Sequence, residues 1–131
     1  MFQRFKKKLS DMPVSYGAVV NKQINIYLEL KKQHTASTEN EILDILLTSR
    51  IRTYSMLPQP SFKKQLVYYK PLLEDDEKTL DDVIFHIVWY EFIISRQDWV
   101  AKHSTPRELR SFEIEVEKYI SDQIKQRVAH E

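Results

Sequence analysis

Two side chains able to hold or move a proton, His86 and Glu91, sit inside the apolar run VIFHIVWYEFII at residues 83–94. At about 100° per helical residue they fall about 140° apart around the axis, too far for one metal ion or substrate atom to engage both from this helix. His86 instead shares a stripe with Asp82 and Tyr90, four residues to either side, with Gln97 further along. In such a ladder the carboxylate orients the imidazole and the phenol donates or accepts a proton, the outline of a general base. The plainer reading is a histidine satisfied by Asp82 or by a backbone carbonyl at the wetter edge of the helix. Glu91, among Ile84, Ile87 and Val88, needs a cation, a donor, a proton or a place where the helix surface meets solvent, and a buried Arg or Lys such as Arg50 or Arg52 is the candidate mate. If the run lines a cavity, Trp89 and Tyr90, with Phe85 and Phe92, would enclose an apolar ligand whose polar end His86 or Glu91 addresses.

Other chemistries are excluded by composition. The chain has no cysteine, which removes disulfides, thiolate zinc sites and cysteine nucleophiles. Its single glycine, Gly17, removes the glycine-rich dinucleotide and phosphate loops and the strained serine elbow. Helical bundles that hold metal pairs do so through Glu-x-x-His motifs, yet Lys31, Val83, Val100 and Arg127 stand three residues before the histidines. No metal, cofactor or catalytic residue is therefore assigned, and the chain is not expected to be an enzyme.

The elements that position these residues are helical. Thr105-Pro106-Arg107-Glu108 carries an N-cap, a proline at the first helical position and a closing glutamate. Beyond it Leu109, Phe112, Val116, Tyr119, Ile120, Ile124 and Val128 form one stripe, with Lys118, Asp122 and Lys125 opposite. Thr38-Glu39-Asn40-Glu41 is a second capping box; it opens a run in which Ile42, Ile45, Leu46, Ser49 and Met56 share a face until Pro58 and Pro60. Thr79-Leu80-Asp81-Asp82 is a weaker version before residue 83. Phe62, Leu66 and Tyr69 predict a short helix ended by Pro71. Residues 23–30 alternate as a strand would, but on a helical wheel over 14–33 the polar residues Asn21, Lys22, Asn25, Glu29 and Lys32 oppose Val19, Val20, Ile24, Ile26, Tyr27 and Leu30, which favours a helix. The expected fold is all-α, a single compact bundle of four long helices plus one short helix, forming one domain over residues 1–131.

Net charge is only +1, but it is unevenly placed. Residues 1–35 hold seven basic and two acidic side chains, a balance of +5, whereas residues 73–98 hold two basic and eight acidic, a balance of −6. The acidic block Glu74, Asp75, Asp76 and Glu77 either serves the dipole of the following helix or presents a partner surface; it lacks the glycine and spacing of a calcium loop. The start, MFQRFKKKL, sets Phe2, Phe5 and Leu9 beside Arg4 and Lys6–Lys8; residues 1–12 are expected to be a loosely attached basic segment, with membrane-surface contact the lesser alternative. No apolar stretch reaches the length of a membrane span, no secretory signal is evident, and the near-neutral balance argues against a nucleic-acid partner. The expectation is a cytoplasmic, non-enzymatic interaction or regulatory module whose partner is a protein or a second copy. The alternative is a sensor for a small apolar ligand.

Overall fold

The computed structural model describes residues 16–53, 61–94 and 97–128. Six helices and no strands occur among them: α1 (Tyr16–Gln33), α2 (Glu39–Thr53), α3 (Ser61–Leu73), α4 (Leu80–Phe92), α5 (Gln97–His103) and α6 (Pro106–Arg127). The all-α class expected from sequence is thus the observed one, and residues 23–30 are helical. The basic segment at residues 1–12 lies outside the described residues, as do Met56, Pro58 and Pro60.

The most apolar helix, α4, occupies the middle and packs against α1, α2, α3 and α6. Its Val83, Ile84, Ile87 and Val88 are buried with Val20 and Ile24 of α1, Leu43 and Leu46 of α2, Tyr69 of α3 and Phe112, Val116 and Ile120 of α6. Removing such side chains from water is the main favourable contribution to folding. Ring contacts place Trp89 beside Phe112, and a surface hollow joins Asp82 and Phe85 to Glu117 and Ser121, so α4 and α6 run antiparallel. Tyr16 touches Tyr119, Asn21 donates to the Tyr119 hydroxyl at 3.4 Å, and Arg127 donates to the Asn21 side chain at 3.1 Å and to that of Asn25; α1 and α6 therefore run parallel.

Local signals set the helix starts. At α6 the Thr105 hydroxyl accepts from Glu108 N–H at 3.1 Å, while Glu108 accepts from Thr105 N–H at 3.2 Å. At α2 the same reciprocal pair joins Thr38 and Glu41, at 3.2 and 3.3 Å. Thr79 accepts from Asp82 N–H at 3.2 Å to start α4. Each such cap satisfies backbone donors that the first turn leaves over.

Tertiary packing corrects four expectations. Six helices stand among the described residues where four long and one short were expected, because the apolar run stops being helical at Phe92, with Ile93 as its C-cap, and Gln97 opens α5 instead of extending the His86 stripe. Ile93 is itself buried at 6% exposure, so the chain leaves the helix without leaving the core. In α2 the buried face is Ile42, Leu43, Leu46 and Leu47, while Ser49 is exposed, because this helix is covered by α1, α3 and α4 together. In α3 the inward residues are Gln65, Tyr69 and Leu72, whereas Leu66 is 37% exposed; the Phe62 side chain lies outside the described residues. Pro71 stands within α3 rather than ending it. Its ring removes the donor for the Val67 carbonyl, but both residues face solvent, and buried Leu72 together with the Glu74 N–H to Lys70 carbonyl bond (3.1 Å) holds the last turn.

Candidate interaction surface

The four residues His86, Trp89, Tyr90 and Glu91 are neighbours in sequence, but α4 hands them to different helices. Nδ1 of half-buried His86 donates to the backbone carbonyl of Asp82 at 2.7 Å, and its ring lies 5.6 Å from that of Tyr68 in α3. Because a carbonyl oxygen only accepts, Nδ1 carries a proton in this bond. The imidazole is thus oriented by main chain and not by the Asp82 carboxylate. Tyr90, 6% exposed, packs against Tyr68 and Tyr69 at 5.5 and 5.6 Å. Trp89 stacks on Phe85 at 5.4 Å and on Phe112 of α6 at 5.9 Å. Glu91 pairs with Arg50 of α2, as its apolar surroundings require, with side-chain exposures of 18% and 10%. Burial foremost, and the Glu113 carboxylate second, push the Tyr68 phenol up to about 12. Each of these groups is committed to a neighbouring helix, and none of the four lines either hollow described below.

The acidic block Glu74–Glu77 forms the turn between α3 and α4, and all four of its residues are exposed. Asp75 Oδ1 accepts from Glu77 N–H at 2.9 Å, and Lys78 reaches under the turn to donate to the Asp75 carbonyl at 2.9 Å. The Lys78 ammonium also lies 2.6 Å from Asp44 of α2, and its side chain is wholly enclosed. One buried cation therefore fixes the turn from within while its carboxylates face outward.

The sequence does not single out the face of α3 beside this turn: its spacing sets Leu66 inward and says nothing of Val67. Val67 is 73% exposed, the most exposed large apolar side chain among the described residues. Lys63, Lys64, Lys70, Pro71 and Glu74 lie within about 60° of it around the helix axis, and all five are exposed. Among the described residues none of these lysines, nor Glu74, has an ion-pair partner. The available signal was the spacing 63, 67, 70, 71, 74, a helical stripe whose one aliphatic member is Val67.

Two surface hollows lie elsewhere among the described residues, and no residue of α3 lines either of them. One of about 290 Å³ lies at the α1–α2 turn, lined by Tyr27, Lys31, His34, Thr35, Ser37, Glu39 and Ile42. Burial, then the Glu39 carboxylate, raise the Tyr27 phenol above its ordinary value. The other, about 350 Å³, lies between α4 and α6 and includes Asp81, Asp82 and Glu117. Among the described residues no group of His, Asp and Glu is arranged to hold a metal ion, and no helix is long and apolar enough to cross a membrane. No protein-family model matches the chain, and neither the curated proteins nor the solved structures contain a match to it.

Proposed function

We propose that this chain is a non-enzymatic protein-interaction module of the cytoplasm, and that the outward face of α3 with the following acidic turn is its contact surface. The observation carrying this reading is Val67, an aliphatic side chain 73% exposed in the middle of a helix, ringed by lysines and followed by uncovered carboxylates. Leu66, at 37% exposure, widens the apolar strip. An apolar centre with a charged rim is the ordinary anatomy of a transient protein contact. The polar groups of α4 open to catalysis or a core ligand are engaged otherwise, His86 on the backbone of its own helix and Glu91 on Arg50 of α2, which favours the interaction reading over the sensor. A photo-crosslinking residue in place of Val67 is expected to give a discrete protein adduct. The same residue in place of Lys118, exposed on α6, is expected to give none. Equal labelling from both positions, or none from either, would overturn the assignment.

A further inference from the structure

The charge order along α3 identifies the occupant of this face, a step that rests on the interaction reading above. Basic residues stand at its start, Lys63 and Lys64, and acidic residues follow its end, Glu74 and Asp75, with Val67 between them. A helix of this pattern is complementary to itself when reversed. We infer that the partner is a second copy of this chain, whose α3 packs antiparallel on the first about a two-fold axis.

The register follows from helix geometry. If the axis passes midway between residues 68 and 69, residue n of one copy stands level with residue 137 − n of the other, at about 1.5 Å rise per residue. Lys63 is then level with the partner's Glu74, and Lys64 flanks the same carboxylate from the other side. The two Val67 side chains lie about 4.5 Å apart along the axis, within reach of each other and of the partner's Pro71 ring. The two-fold axis keeps the two Lys70 residues on the same side of the contact, about 4.5 Å apart along the helices and about 60° off its centre, at the rim where water and salt screen their charges. Such a contact is isologous, using the same patch on both copies. A different register centred on Val67 itself would set Lys63 level with the partner's Pro71 and so forgo the match of lysine to glutamate.

One helix face is small beside the ~1,000 Å² or more that stable interfaces bury, so association is expected in the micromolar range and dependent on concentration. Sedimentation velocity of the full chain across about 1–500 μM is the test. The wild type is expected to pass from monomer to dimer, and Val67→Asp, at an exposed position, to remain monomeric while its circular dichroism is unchanged. Two charge variants then examine the register. K63E/K64E and E74K are each expected to dimerise at least tenfold more weakly than wild type, since each sets like charges together, whereas an equimolar mixture of the two is expected to recover association by restoring opposite charges. If Val67→Asp abolishes dimers but the mixture recovers nothing, the face is a contact surface and the antiparallel register is overturned. A wild type that stays monomeric throughout, while crosslinking from position 67 captures another protein, overturns the second copy as occupant and leaves the interaction reading standing. Monomers with no adduct from position 67 overturn both.

Discussion

Lys78, in the turn before α4, reaches Asp44 of α2 with Nζ 2.6 Å from Oδ1, and its own side chain has no exposed surface. The two ends of this pair differ: the ammonium is enclosed, while the Asp44 side chain is 42% exposed. Removing the carboxylate strands a buried cation, whereas removing the cation leaves a carboxylate whose Oδ1 faces inward but whose side chain still reaches water. Asp44→Ala is therefore expected to destabilise the protein by about 2 kcal/mol and Lys78→Met by about 1 kcal/mol. Urea unfolding monitored by circular dichroism checks the order of the two.

The Arg50–Glu91 pair ties α2 to α4 with both partners largely buried. Either single truncation, Arg50→Met or Glu91→Leu, is expected to cost about 3 kcal/mol because the remaining charge is left in apolar surroundings. The double variant replaces the pair by apolar volume and is expected to recover most of that loss. A double-mutant cycle in chemical denaturation measures the coupling; additive losses would show that the pair is energetically idle.

Gln65 of α3 is fully buried, and neither end of its amide has a hydrogen-bond partner among the described residues. An unmet buried amide costs desolvation without return. Gln65→Met, close in length and shape, is expected to raise stability by about 1 kcal/mol, read as a higher urea midpoint at unchanged slope. A drop of similar size would mean that the amide has a partner in solution.

Tyr68 gives the fold a limit on the alkaline side. Its phenol, pushed up to about 12 by burial and then by Glu113, stays neutral in the folded state while an unfolded chain ionises at 10.0. A group raised on folding contributes fully below its unfolded value and loses that contribution as pH climbs through its folded value. Stability is thus expected to be flat in this group below pH 10 and to fall between pH 10 and about 12. Tyr68→Phe should flatten that decline, measured by thermal melts from pH 8 to pH 11.5.

What could be read from sequence follows the range of the forces involved. The boxes at Thr38 and Thr105 are legible because a cap is made by residues three apart, and the α6 stripe because Phe112, Val116 and Ile120 recur at helical spacing with charged residues opposite. The Arg50–Glu91 pairing was legible for another reason: a carboxylate in an apolar run has few ways to exist. By contrast, nothing local distinguishes Lys78 from any surface lysine or Gln65 from any surface glutamine, since their burial is decided by helices distant in sequence. The face of α2 was read out of phase because consecutive Leu-Leu and Ile-Leu steps fit more than one stripe, and the one chosen is set by three neighbours at once. Val67 is not legible in the sequence either, because a lone valine among lysines has the pattern of ordinary helix surface.

The parallel course of α1 and α6 has a mechanical consequence. Tyr16 begins α1 beside Glu115 and Tyr119, in the middle of α6, while Arg127 ends α6 beside Asn21 and Asn25. A pull on the start of α1 against the end of α6 therefore runs along both helix axes. It loads their shared face in shear, so the bonds of Tyr16, Asn21 and Arg127 bear the strain together instead of opening one after another.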